Sequence, residues 1–280
     1  MKRIFLVLTF SLGMIISLNA QYVQRVVNER IDSILKYLSY IPTTKSDSMR
    51  MVYGEKTAYF MKEILINPAS WNADFSGLHD RISILVSKDK KVKVFTWAIP
   101  LHNDYYYIGF IQHYNKKTKI PDVFRLYDES SKIKKPEKKY LSPNRWYGCV
   151  YYEMIEKRYK RHRYYTLLGA DPDGDLLNRK IIDVLTFRSN GIPRFGYNFR
   201  DENGKPVKRF IFQYNNQASM LLRWNKQLKM IVFDHLSPSE PKFKGMYQFY
   251  GPDFSYDGLK FIKGRWVYEK DVDVRDKHLK

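Results

Sequence analysis

The chain has 280 residues with 49 Lys plus Arg against 29 Asp plus Glu, a formal charge of +20, and 23 Tyr and 17 Phe. So many aromatics exclude a disordered tail, and a hydrophobic content of 44% with a mean hydropathy of −0.51 is ordinary for a globular chain. At this length roughly 70–75% of the unfolded surface can be buried, so a core forms without disulfide staples, and Cys149 is alone in any case.

Residues 1–20 read as a secretory signal peptide. Met1-Lys2-Arg3 is a positive start, Ile4 to Leu18 is apolar, and Ala20 is a small residue before a cut. A single membrane anchor is the alternative, but the run is shorter than the ~20 residues a span needs. Removal of Lys2 and Arg3 with the peptide would lower the charge from +20 to +18. No transmembrane span is then expected, and the expected location is the periplasm, the outer membrane or the exterior.

Residues 21–70 read as a helical segment. Val23, Val27, Ile31, Ile34 and Leu38 recur at helical spacing up to Pro42, and a second helix from Gly54 to Ile66 shows Ala58, Met61 and Leu65 on one face. From Ile82 the pattern changes to short runs rich in Val, Ile, Phe, Tyr and Trp, separated by Asn, Asp, Gly and Pro. Asn190-Gly191, Asn203-Gly204, Asn225-Lys226 and Lys263-Gly264 supply tight turns. No helical run separates the strands, so parallel crossovers are disfavoured. The expected fold is mainly β: an antiparallel meander over 82–274, closed as a barrel or folded as a sandwich, behind a short α-helical N-terminal part. The stretch 128–145, with Lys-Ile-Lys-Lys-Pro-Glu-Lys-Lys at 132–139, is a possible internal break.

Four groups of residues could carry chemistry. Lys157, Arg158, Lys160, Arg161 and Arg163 would make a basic hairpin tip shouldered by Tyr151, Tyr152, Tyr164 and Tyr165, suited to anions. The bland alternative is a solvated loop in a chain that is basic throughout. Asp171, Asp173 and Asp175 could offer oxygen ligands to calcium, but Gly174 and the residues after it do not fit an EF-hand loop, so a polar hairpin tip competes. The segment around Asp253, Tyr256 and Asp257 combines carboxylates with Gly251, Pro252 and Gly258; it reads as a binding loop or as an ordered turn. Glu153, Asp183 and Asp234 lie within strands where paired acids for glycan hydrolysis could form, or where each is simply the solvent half of an alternation.

Cys149, in an apolar run, reads as a small buried hydrophobe rather than a nucleophile. The six histidines show no zinc spacing, and Asp234 is badly placed to orient His235 because neighbours on a strand point to opposite faces. No nucleophile elbow, Walker loop or dinucleotide fingerprint occurs.

The segments Trp146-Tyr147-Gly148, Tyr151-Tyr152, Tyr165 to Gly169, Lys180 to Phe187, Phe233-Asp234-His235-Leu236 and Tyr250-Gly251-Pro252-Asp253 resemble a family of uncharacterised exported bacterial envelope proteins. The resemblance covers about the C-terminal half. It implies a unit from Trp146 to Val274 and brings no activity, cofactor or catalytic residue.

The expectation is therefore an exported binding protein for an envelope polyanion, a glycan or an acidic protein, with no cofactor beyond a weak calcium candidate and with nucleic acid disfavoured as partner. The alternatives are a glycan hydrolase with paired carboxylates and a structural subunit of an envelope assembly. Whether the chain is an enzyme is left open, leaning towards no.

Overall fold

The computed structural model describes residues 2–173 and 176–275, with side chains from residue 21 onward except that of Asp173. It is mainly β, with two helices in the N-terminal part followed by antiparallel sheets. The chain divides into two compact units, one of residues 1–82 with 114–123, the other of residues 83–113 with 124–280.

In the first unit α1 (Lys2–Tyr40) and α2 (Asp47–Leu65) pack together. The stripe of Val27, Ile31, Ile34 and Leu38 is buried, as are Ala58, Met61 and Leu65, and Tyr37 stacks on Phe60 at 5.9 Å. The second helix starts earlier than the apolar spacing implies, because Ser46 caps it: the Ser46 side chain accepts a hydrogen bond from the Met49 N–H. Among the described residues no helix is long and apolar enough to cross a membrane.

The strands, nearly all of them in the second unit, form three larger sheets. The first runs in the order β1 (Ser83–Val86), β2 (Val92–Pro100), β3 (Tyr105–Tyr114), β4 (Pro121–Tyr127). The central sheet contains β5 (Val150–Tyr159), β6 (His162–Asp173), β7 (Leu177–Phe187) and β11 (Phe210–Asn215), with β8 (Pro193–Phe195) also paired to β7. A small ribbon pairs β9 (Phe199–Arg200) with β10 (Pro206–Val207). The last sheet runs β12 (Leu222–Asn225), β13 (Met230–Pro238), β14 (Tyr250–Ile262), β15 (Arg265–Glu269). No barrel closes among the described residues.

The central sheet is buried on both faces, and its period-two alternation shows how. On β7, Ile181 and Leu185 join a cluster with Val92, Val94, Tyr107 and Ile111 of the first sheet, while Ile182 and Val184 join one with Ile231, Phe233, Leu259 and Trp266 of the last. On β5 a bulge between Tyr151 and Glu153 reverses the parity. Tyr151 therefore faces the first cluster and Ile155 the second, although both positions are odd. Cys149 is fully buried in the first cluster, and burial pushes its thiol well up.

Two segments differ from what the sequence pattern implies. The stretch 128–145 folds against this unit through two short 3-10 turns, Ser130–Lys132 and Pro136–Lys138, and an antiparallel bridge of Leu141 to Phe195. Tyr250 to Gly258, which reads as a turn, is the first half of β14. It pairs with β13 from Pro238 inward, and the irregularity that its glycines and proline signal is a bulge rather than a chain reversal.

Candidate functional site

The richest polar arrangement is built on that bulge. Asp234 pairs with Tyr256 and Leu236 with Pro252, so Asp253, Phe254 and Ser255 on β14 stand opposite His235 alone on β13. The extra residues push out a small loop. Its tip, Phe254, is 95% exposed and has φ +69, a left-handed conformation that costs a bulky residue about 1–3 kcal/mol. Asp253 holds the loop by accepting hydrogen bonds from Ser255 N (3.1 Å) and Ser255 Oγ (2.7 Å).

Beneath the loop, His235 Nδ1 lies 2.7 Å from Asp257 Oδ2. Asp257 is only 2% exposed and is fully engaged: Oδ2 also accepts from the Tyr268 hydroxyl at 2.6 Å, and Oδ1 from Asp271 N at 3.2 Å. The buried carboxylate thus fixes the imidazole ring and turns Nε2 outward, where it lies 3.9 Å from Asp253 Oδ2. Burial alone would lower the basicity of His235, but the hydrogen bond to Asp257 and the charges of Asp257, Asp253 and Glu202 outweigh it, so its pKa is raised. Burial would raise Asp253; hydrogen bonds from Ser255 and the charge of His235 win, and its carboxyl sits below the usual range.

A cleft of about 720 Å³ opens alongside, with Trp266 and Tyr268 among its walls and Arg200, Arg265, Lys270 and Glu202 among its charged groups. Arg200 donates to Gly204 O at 2.7 Å and Lys270 pairs with Glu202 at 3.6 Å.

The basic hairpin tip of β5 and β6 lies against the turn that leads into this cleft. The turn between β14 and β15 places Lys263 at φ 47 and Gly264 at φ 81. A Cβ added to Gly264 would lie 2.5 Å from Cδ1 of Tyr159, and Tyr197 donates its hydroxyl hydrogen to Gly264 O. Only glycine allows the ring of Tyr159 to lie on this turn. Arg158, Lys160, Arg161, Lys263 and Arg265 are all exposed. The other two cations of the tip are engaged by side chains: Lys157 Nζ sits 4.0 Å from the centre of the Trp224 ring and 6.0 Å from that of Trp266, and Arg163 pairs with Glu156 and, at 3.1 Å, with Asp89.

The carboxylates considered for hydrolysis are each held separately. Asp183 is 1% exposed, and its Oδ2 accepts from Nε of the fully buried Arg209 at 2.8 Å. Glu153 accepts from Trp224 N at 3.0 Å, and Asp234 from Leu221 N at 2.7 Å. Asp171, the calcium candidate, is buried and accepts from Tyr107 Oη (2.7 Å) and Arg179 Nη1 (3.1 Å). The Asp173 side chain and all of Asp175 lie outside the described residues. No group of three or more metal-ligating side chains is present among the described residues. Asp253 and Asp257 are brought together around His235, while Tyr256 lies next to them as the ladder partner of Asp234.

The sequence pattern missed His235 as a site residue because its partner lies across the ladder, 22 positions away, rather than beside it. The available signal was the acid-rich segment containing Asp257. Comparison with known proteins found no matching family model, curated protein or solved structure.

Proposed function

We propose that this is an exported binding protein that holds an anionic envelope polymer along a basic track from the β5–β6 tip to the Trp266 cleft. The observation that carries the reading is the contact of Tyr159 with Gly264. It joins Arg158, Lys160 and Arg161 to Lys263 and Arg265, and Arg265 also lines the cleft. Five exposed cations on two adjoining turns attract a polymer whose charges repeat along its length, and the aromatic wall offers contact area at low entropic cost. The positive start, apolar run and Ala20 of the N-terminal segment support export.

The track is tested by replacing Arg158, Lys160, Arg161 and Arg265 with Ser and titrating polygalacturonate at several salt concentrations. Weaker binding and a shallower dependence on salt are expected. Unchanged affinity and slope would refute the reading. Export predicts that protein recovered from the native cell envelope starts at Gln21, which intact-mass measurement reads directly.

A further inference from the structure

We propose that His235 and Asp253 clamp one hydroxyl group of a saccharide, with the ring of Phe254 as the face on which the sugar lies. This site is separate from the basic track and does not depend on it.

The gap between His235 Nε2 and Asp253 Oδ2 is 3.9 Å, too long for a hydrogen bond between them. An oxygen ~2.8 Å from each atom would span it with an angle of roughly 90° at that oxygen. A hydroxyl is the group that fits, because it accepts from Nε2–H and donates to the carboxylate. Nε2 makes no hydrogen bond within the described residues, and Nδ1 is committed to Asp257, so the outward nitrogen is oriented and available.

Phe254 gives the clamp its selectivity for sugars over water. Its side chain covers nothing in the fold, being 95% exposed, yet the chain holds it in a strained left-handed conformation at the tip of the bulge. Strain of this kind persists where the surrounding structure imposes it, and it concentrates at binding sites. The C–H face of a pyranose is weakly positive and the aromatic face negative, so the two attract. The cavity beside the clamp, about 560 Å³ and lined by Asp253, Ser237, Tyr250 and Asn215, has room for a sugar ring and offers further polar groups.

The clamp works in one protonation state. With Nδ1–H bound to Asp257, only the imidazolium carries a second N–H for the hydroxyl. The groups around His235 are acidic from each packed element: Asp253 and Asp257 on β14, Tyr268 on β15, and Glu202 in the turn between β9 and β10, which is itself paired with Lys270. Binding is therefore strongest at mildly acid pH and falls as His235 loses its proton.

The test is an array of neutral and acidic oligosaccharides probed with the full chain at pH 6.0, followed by calorimetric titration of the best neutral ligand. At least one neutral saccharide is expected to bind. Phe254→Ala and Asp253→Ala should each weaken it tenfold or more, and raising the pH to 8.5 should weaken it in the native chain. Phe254→Ala is the decisive variant, because so exposed a ring contributes no packing and its loss leaves the melting temperature unchanged. The fourfold Ser variant of the basic track should bind the neutral sugar as the native chain does. Absence of binding to every arrayed neutral saccharide, or equal affinity in Phe254→Ala, would overturn the clamp and leave the polyanion reading standing.

Discussion

Two buried carboxylates of the same unit, Asp183 on the central sheet and Asp257 on the last, are used in opposite ways. Asp183 is matched by Arg209, which is 0% exposed and also donates from Nη1 to the Pro136 and Lys139 carbonyls. Burial raises the Asp183 carboxyl, against the pull of Arg209 and of the Val184 and Gly196 backbone hydrogen bonds. An arginine keeps its proton throughout the accessible pH range, so this pair persists wherever Asp183 is ionised and ties 136–139 to the sheet. Asp257 is matched instead by a histidine whose side chain is 32% exposed and whose second nitrogen faces outward. The one carboxylate fastens the fold, while the other aims a titratable group at solvent. Burial of the acid is common to both; the exposure and chemistry of the partner decide which of them can serve a ligand.

The largest effect should come from breaking the buried pair. Arg209→Met leaves Asp183 buried without its counter-charge, and should cost about 3–5 kcal/mol in urea unfolding. Adding Asp183→Leu to it should restore most of that loss, because both buried charges are then gone. If the single variant costs less than about 1 kcal/mol, the pair does not fasten 136–139 to the sheet.

Asp257→Ala should be milder, about 2 kcal/mol, since it leaves the Tyr268 hydroxyl and the Asp271 N–H unpaired but strands only a partly exposed imidazole. It should also return the His235 pKa, followed by NMR, towards the value of a free imidazole.

Smaller again is the pH dependence. Because His235 has a raised pKa in the folded state, its contribution to stability is full below the unfolded value of about 6.5 and is lost as pH rises through the folded value. Asp253 has a lowered pKa, so its contribution is present above about 3.9 and is lost on acidification below that. Denaturation midpoints between pH 5.5 and 9 should decline in the native chain, and this part of the decline should vanish in His235→Gln. The least effect on stability is that of Phe254→Ala, which should leave the midpoint where it was while weakening sugar binding tenfold or more.

Much of the scaffold was legible because it depends on local chemistry. The turn at Lys263-Gly264 is set by the glycine, and the α1 stripe by helical spacing; both appear where the pattern places them. The mainly β class follows from aromatic and β-branched runs without helical spacers. The first half of β14 was not legible, since its Gly251, Pro252 and Gly258 look locally like a turn. What makes it a strand is its pairing with β13, a partner supplied by the rest of the fold. The site was partly legible: Asp253 and Asp257 stand out as carboxylates in a glycine-rich segment, but Arg209 and His235 carry no local mark of the acids they meet.

By itself the sequence determined the helical start, the antiparallel β body, the basic character and the composition of the turns, because periodicity, propensity and charge act over a few residues. Tertiary structure alone decided which cation each buried carboxylate received, that a bulge would set three residues opposite His235, and that Tyr159 would lie on Gly264. These follow from strand register and sheet stacking, which bring together residues separated by 22 positions at His235 and Asp257 and by 26 at Asp183 and Arg209. No short-range pattern encodes such distances, because the energy that selects them is the burial of whole faces rather than of any one pair.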